Sequence, residues 1–393
     1  MAPLSQPIRS PPLPDEELPP GLILFYHPHY QRPNNILMTL PRSDQSEEGY
    51  GVHHGTALVA CQIIGNNAFN KSRLALDQKG EHPVNLPFDD VLTHGEYYFV
   101  VDGPYSMEEP YPVVASFQDW ACPGQHQIPA TWPYLTRNYD PSPGQEVCGI
   151  TRYRTPLEGA HLVPKEQGYW YILNGMSAHS SYSFADINHG ANIVPLRKDI
   201  HSLFDARAFG IVPKNGVYVS HIFSQKADQY WPDYHHVRVT SLDKEARSYL
   251  FARFAWTILF HVKKFVTANE SRIIVQVTAK KRGDTPRPQV TRLSGAVLYE
   301  KYIGGGSRES AVAEGKKPPK RSRTDENLED DDDEDSEDSR IQAIVESVYF
   351  WGQEGDDPNR RQWPSDSTAP TGDDDGKGKE MESGIDEPGD KAM

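Results

Sequence analysis

The stretch ANIVPLRKDIHSLFD, Ala191–Asp205, decides how this chain of 393 residues is interpreted. Its first half has the apolar content of a short strand, and its second half reads as a short helix with Asp199 in the first turn. On that helix His201 and Asp205 are four residues apart, so they share a face. An imidazole nitrogen beside a carboxylate suits a divalent transition metal or, less tightly, Mg²⁺. The stretch therefore predicts a metal site on a short helix.

A second element lies upstream, in the run LEGAHLVP (157–164), which reads as a strand and contains His161. A hydrogen bond to the Asn192 side chain or to a backbone carbonyl would fix the tautomer of this imidazole. A neutral, oriented imidazole beside a metal ion is a general base for water that attacks phosphorus. Each of these residues alone is more typical of packing, a turn or a helix surface. Their combination and order indicate phosphodiester chemistry.

Four sequence elements in this order resemble the HNH endonuclease family, which has a ββα-metal fold. They are CGIT (148–151), the pair Ala160 and His161, the eight-residue spacing between Asn192 and His201, and the pair Phe204 and Asp205. The resemblance covers about Cys148 to Pro213, and the whole chain is similar to fungal proteins that carry this domain. It implies a metal-dependent hydrolase that cleaves phosphodiester bonds in DNA.

The resemblance also implies a role for each matching residue. His161 would be the general base, Asn192 would hold the turn and orient that base, and His201 would bind the metal ion. These three are the expected catalytic set. Asp205 falls where many members of the family have a second metal ligand. The expected cofactor is a divalent ion, Mg²⁺ first, with Mn²⁺, Ni²⁺ or Zn²⁺ as alternatives.

Ala160 departs from the pattern of the family. Many HNH enzymes have an Asp or His immediately before the base as a further metal ligand, and an alanine side chain cannot coordinate a metal. Glu158 is nearby, but strand alternation predicts that it faces away from His161. The alternative to an active nuclease is therefore a catalytically degenerate HNH fold that binds nucleic acid or protein.

Charge is distributed unevenly along the chain. Residues 303–393 carry 26 Asp and Glu against 12 Lys and Arg, whereas residues 1–302 carry 29 against 28. A nearly neutral body can still bind DNA through a local basic face, with little long-range steering. Arg197 and Lys198, at the start of the short helix, are the best candidates for phosphate contacts. Such contacts position DNA without reading its sequence.

Composition, the strand and helix patterns and the resemblance to the HNH family together divide the chain into five segments and predict an α+β fold. The expected segments are a disordered Pro-rich start (1–20), a β-rich domain (21–135), a linker (136–146), the HNH domain with a supporting helix (147–302) and a disordered acidic tail (303–393).

Strand-like runs punctuated by Gly, Pro, Asn and Asp underlie the β-rich prediction. These runs are GTALVACQII (55–64), YYFVVDG (97–103) and PVVASFQDWACP (112–123), and RIIVQVTA (272–279) predicts a later strand. The supporting helix is predicted over residues 241–269, where Phe251, Phe254 and Ile258 recur at three- and four-residue spacing. Ser241 is its expected N-cap.

Other sequence features bear on the cellular compartment of the protein and on its binding partners. Three widely spaced cysteines argue against a zinc ribbon or a disulfide framework. Because the sequence shows no secretory signal and no apolar run of bilayer length, an intracellular protein without membrane contacts is expected. KKPPKRSR (316–323) is compatible with nuclear import. The β-rich domain and the apolar face of IQAIVESVYFW (341–351) are the candidate surfaces for a protein partner.

The remaining histidines are not expected as ligands. His53 and His54 read as turn histidines beside a strand. Four others match no position of the motif, namely His179, His189, His235 and His236.

Overall fold

The structure is a computed structural model that describes residues 21–135, 147–181, 186–278 and 287–303. The expectations for the Pro-rich start, the linker and the acidic tail from residue 304 lie outside the described residues. The same holds for the basic octet 316–323 and for the apolar run 341–351.

Residues 21–135 build two sheets around one helix. In chain order the elements are β1 (Leu22–Tyr26), β2 (Ile36–Pro41), β3 (Asp44–Ser46), β4 (Gly49–His53), α1 (His54–Ile64), β5 (Ser72–Ala75), β6 (Val91–Leu92), β7 (Glu96–Val101) and β8 (Val113–Val114). Strands β2, β1, β7 and β5 form one sheet in that order, with β1 and β7 parallel. Strands β3, β4 and β6 form the other. Strand β7 confirms the prediction for YYFVVDG, because its side chains alternate between buried and half-buried positions.

The run GTALVACQII is helix α1, so the prediction of a strand there was wrong. A continuous apolar run of this length does not distinguish a strand from a fully buried helix. The His53 imidazole caps the helix by accepting a hydrogen bond from the Thr56 N–H, at 3.1 Å. Gly55 lies against Phe88, where a Cβ atom would come within 2.1 Å of the ring. Residues 112–123 are also mostly not a strand, since only β8 pairs.

The central part of the chain contains a ββα arrangement. Strand β9 (Leu157–His161) pairs antiparallel with β10 (Ile193–Arg197), with His161 opposite Ile193 and Arg197 opposite Leu157. Between them lies a short helix, α2 (Gly168–Leu173). Helix α3 (Lys198–Asp205) follows β10 directly and packs on both strands. The mixed α+β class and the ββα order are therefore as expected.

The remaining elements follow α3 in the chain. They are β11 (Phe209–Lys214), β12 (Val217–Ile222), α4 (Trp231–Tyr234), α5 (Arg247–His261), α6 (Lys263–Thr267), β13 (Arg272–Thr278), β14 (Arg287–Leu293) and α7 (Gly295–Tyr302). Strand β13 confirms the strand predicted over RIIVQVTA, and it pairs with β14 and, in parallel, with β8.

The predicted supporting helix is shorter and broken. Ser241 has a φ of 63°, so it cannot cap a helix, and the Asp243 carboxylate accepts from the Glu245 N–H in a turn. Helix α5 starts after Ala246, which provides no side-chain cap, and Val262 separates it from α6. The prediction of Ser241 as N-cap was therefore wrong, whereas the buried helix itself exists.

Helix α5 lies in a core shared by residues from both expected domains. The Phe251 ring contacts Trp132 at 4.9 Å and Phe69 at 5.9 Å between ring centroids, and Trp120 stacks on Trp170 at 5.6 Å. Contacts thus join residues 21–135 with residues 147–302, and a domain boundary at residues 136–146 stays a prediction. Within the described ranges, the helices lack the combination of length and apolar character needed to cross a bilayer.

Candidate functional site

The predicted site residues lie where β9, β10 and α3 meet. His161 is the last residue of β9, and Asn192 immediately precedes β10. His201 and Asp205 lie on α3, and the charges of both act on the His161 imidazole. His161 and Asn192 thus lie at one end of the strand pair, and α3 brings His201 and Asp205 close enough for their charges to act on His161.

His161 is half-buried and held by one hydrogen bond. Its Nε2 lies 3.2 Å from the Asn188 Oδ1, in the loop that precedes β10. The expected partners, the Asn192 side chain or a backbone carbonyl, were wrong. Burial lowers the pKa of His161 below the ordinary 6.5, so the ring is neutral at pH 7. Because an amide oxygen only accepts, this bond places the proton on Nε2 and the lone pair on Nδ1.

Asn192 is completely buried and uses its side chain on backbone groups. Its Oδ1 accepts from the Val163 N–H at 2.7 Å, and its Nδ2 donates to the Val163 carbonyl at 3.1 Å and to the Ile187 carbonyl at 2.7 Å. Asn192 thus ties the chain just after His161 to the loop that carries Asn188.

His201 is flanked by two carboxylates. Its Nδ1 lies 2.9 Å from the Glu158 Oε2, and its Nε2 lies 3.2 Å from the Asp205 Oδ2. The hydrogen bond to Asp205, together with that to Glu158, raises the pKa of His201. The hydrogen bond from His201 lowers the pKa of Glu158. Burial raises the pKa of Asp205, but His201 and the Arg253 charge outweigh it, and the net shift is downward.

The contact between Glu158 and His201 was not expected from the sequence. Strand alternation separates it from His161 but puts it on the same face of β9 as Ala160, and α3 packs on this strand. Strand alternation fixes the face on which Glu158 lies but does not indicate that a helix covers that face. The distance of 43 positions between Glu158 and His201 leaves no local signal of the contact.

These residues fit a divalent metal ion by their donor chemistry. His201 offers a ring nitrogen, and the carboxylates of Glu158 and Asp205, whose side chains are 41% and 57% exposed, are ionised and open to solvent. Imidazole nitrogen with carboxylate oxygen is a common donor set for such ions. The two carboxylates lie on opposite ring nitrogens, so an ion would take Nδ1 with Glu158 or Nε2 with Asp205.

The two residues predicted to contact DNA differ in how strongly other side chains already bind them. Arg197 donates from Nε and Nη2 to the Asp199 carboxylate at 2.6 and 2.7 Å, and its guanidinium lies over the Tyr153 ring at 5.1 Å. Lys198 is 71% exposed, with its Nζ 3.5 Å from Glu158. Of the two, Lys198 can reach a phosphate without breaking a bidentate ion pair.

A second group of ligand-type side chains lies outside this site. The donor atoms of Asp44, His221 and His235 all come within 4.8 Å of one another, and their chemistry could hold a divalent cation. Lys214 already forms a buried ion pair with Asp44. The His235 Nδ1 accepts from the Ile222 N–H at 3.2 Å, so its Nε2 carries the proton that faces Asp44.

This second group was missed by the sequence, which gave His235 no role. Asp44 and His235 are 191 positions apart, so no spacing pattern connects them. The group brings β3 and β12 together, and none of its residues belongs to β9, β10 or α3. It is therefore distinct from the predicted metal site.

Comparisons with known proteins agree with the geometry in one segment. No curated protein and no solved structure matches the chain. Residues 146–212 match the family model described as HNH endonuclease, and this range contains His161, Asn192, His201 and Asp205. HNH nucleases generally use a divalent metal ion. The segment 146–212, with its ββα order, therefore belongs to the HNH endonuclease family.

Proposed function

We propose that this protein is a divalent-metal-dependent endonuclease that hydrolyses phosphodiester bonds in DNA. One observation carries the proposal: within the matching segment, the half-buried His161, whose pKa burial lowers, lies close enough to His201 and Asp205 for the charges of both to act on its ring. A neutral base near a group that can bind a cation is what water attack on a phosphodiester requires.

His161 would take the proton from the attacking water. Burial keeps the ring neutral, and the Asn188 contact orients it with the Nδ1 lone pair available. Asn192 ties the backbone just after His161 to the loop that carries Asn188 through three hydrogen bonds, which keeps the Asn188 side chain beside the base. Position and orientation of such a base contribute about 10²- to 10⁴-fold to a rate.

His201 would hold the metal ion with Asp205 or Glu158, and Mg²⁺ is the expected ion. When bound, the ion supplies positive charge to the scissile phosphate and to the leaving oxygen. In its absence His201 shares its protons with the two carboxylates, which raises its pKa. Because a ligating imidazole must be neutral, metal affinity would increase as the pH rises.

DNA would bind along the exposed start of the HNH segment and α3. Arg152, Arg154 and Lys198 are exposed there, and they can contact phosphates without selecting bases. Because the body is nearly neutral, affinity would depend on these local contacts and would fall steeply with salt.

Supercoiled-plasmid cleavage tests the proposal across Mg²⁺, Mn²⁺, Ni²⁺ and Zn²⁺. Wild type, His161→Ala and His201→Ala are compared with His82→Ala, a matched control whose imidazole is 73% exposed and paired with Asp77. We expect metal-dependent nicking by wild type and by His82→Ala, and a loss of at least about 10²-fold in the other two. Equal nicking by His161→Ala and wild type would contradict the assigned base.

A degenerate HNH module remains the second candidate because Ala160 is completely buried and supplies no ligand. It predicts that the protein binds DNA or a protein partner and that His161→Ala leaves this affinity unchanged. Wild type that binds DNA but cleaves it with none of the four metals would favour this candidate.

A further inference from the structure

A buried arginine from outside the matching segment touches both halves of the proposed site. Arg253 belongs to α5, and its side chain is 1% exposed. Its Nη1 donates to the His161 carbonyl at 3.3 Å, and its Nη2 donates to the Phe204 carbonyl, one residue before Asp205. The same Nη2 lies 3.6 Å from the Asp205 Oδ1.

The two carbonyls belong to elements that a rigid site must hold together. One ends β9 at the proposed base, and the other lies in the last turn of α3 beside the proposed metal ligand. The guanidinium plane also packs over the Phe204 ring at 3.5 Å and the Trp256 ring at 4.4 Å, which fixes its orientation. A single planar group thus spans the gap between base and metal ligand.

Burying this arginine has an unfavourable desolvation free energy, and an apolar side chain could fill the same space in the core. Among the described residues, its nearest carboxylate is the Asp205 contact at 3.6 Å, and its Nε has no hydrogen-bond partner. Burying a cation with so little compensation disfavours the folded chain, and an apolar side chain of similar volume would pack at lower cost. Within the described part of the chain, the hydrogen bonds and the ion pair of its guanidinium go to His161, Phe204 and Asp205.

We infer that Arg253 is a positioning residue of the nuclease site, which holds the His161 end of β9 at a fixed distance from the Asp205 end of α3. This inference rests on the proposed function. It extends the working site beyond residues 146–212 to α5, because a displacement of about 1 Å between base and metal ligand is enough to cost on the order of 10²-fold in rate.

Arg272 provides a matched control. It is also completely buried, donates to the Phe265 and Asn34 carbonyls, and packs over the Tyr30 and Phe265 rings. Its contacts lie in β13, α6 and the loop before β2, away from β9 and α3. The two arginines are alike in burial and in the kinds of contact they make, but only the replacement of Arg253 should affect the site.

The experiment compares full-length wild type, Arg253→Met, Arg253→Lys and Arg272→Met, below the unfolding temperature of each. With a DNA duplex and Mg²⁺, Arg253→Met should lower kcat by at least about tenfold and change KM by less than about threefold. Arg253→Lys should recover part of the loss, because an ammonium keeps the charge but lacks the planar fork. Arg272→Met should keep kcat within about threefold of wild type.

Hydrogen–deuterium exchange of the same variants gives a result that does not need activity. Arg253→Met, or Arg253→Lys if the methionine variant does not fold, should exchange faster in residues 157–163 and 200–206. Arg272→Met should not. Unchanged exchange in these two segments, or equal kcat in Arg253→Met and Arg272→Met, would overturn the inference. If wild type does not cleave DNA, the nuclease proposal fails, and the exchange comparison alone decides whether Arg253 fixes the two elements.

Discussion

Replacing Asn192 by alanine should lower both stability and cleavage. The side chain is completely buried and makes three hydrogen bonds of 2.7, 3.1 and 2.7 Å to backbone groups of Val163 and Ile187. Alanine would leave one N–H and two carbonyls without these partners. At about 1 kcal/mol for each bond, the free energy of unfolding should fall by about 3 kcal/mol. Urea unfolding at pH 7 measures this loss.

Two further variants make the prediction specific. Asn192→Asp keeps the acceptor for Val163 but sets a buried carboxylate against two carbonyl oxygens, so at pH 7 it should be at least as destabilised as Asn192→Ala. Asn174 is half-buried and bonds to the Cys122 N–H and the Trp170 carbonyl, so Asn174→Ala should lose only about 1 kcal/mol, since water can replace these contacts. A loss in Asn192→Ala no larger than that of Asn174→Ala would refute the reasoning.

Three other outcomes follow from charges and burial. With the metal ion saturating at every pH, the cleavage rate should fall as the pH is lowered through the pKa of His161, and because burial lowers that pKa, kcat/KM should decline below pH 6.5; a decline complete above pH 6.5 would contradict the assignment. Lys214→Met leaves the buried Asp44 carboxylate without its cation, so the free energy of unfolding measured in urea should fall by about 3–5 kcal/mol. The loss should be smaller when Lys214→Met is combined with Asp44→Asn, and additive losses would argue against the ion pair. Burial lowers the pKa of His261 to about 4, so between pH 6.5 and 4 the unfolded chain binds a proton that the folded chain does not. The free energy of unfolding should therefore fall as the pH is lowered through this range, by up to about 1.4 kcal/mol per pH unit. His261→Phe should flatten that slope, and an unchanged slope would count against the prediction.

The sequence predicted α3 and the β9–β10 pair because the signals are local. The spacing of His201 and Asp205 on one helix face and the two apolar runs each lie within about ten residues, where periodicity is informative. Helix α1 was mistaken for a strand because a fully buried element carries no alternation. Its cap, the His53 imidazole, is also not a standard capping side chain.

The missing parts of the site are long-range contacts. Glu158 meets His201 across 43 positions, and Arg253 meets His161 across 92, so neither pairing leaves a spacing pattern. Arg253 does carry one faint signal, as a charged residue inside the apolar run of α5. Asn188 carries no signal of its contact with His161, because an asparagine in a loop indicates only a turn.

The shared core has a consequence for how this segment could have been inherited or engineered. Buried residues of β10, α3 and β11, such as Leu196, Phe204 and Val212, pack in the same apolar cluster as α5 and the sheets of residues 21–135. Residues 146–212 are therefore not expected to fold independently of the rest of the chain. Excised or grafted onto another protein, they would present an apolar face to water and aggregate, so transfer of the site would require its whole surrounding scaffold.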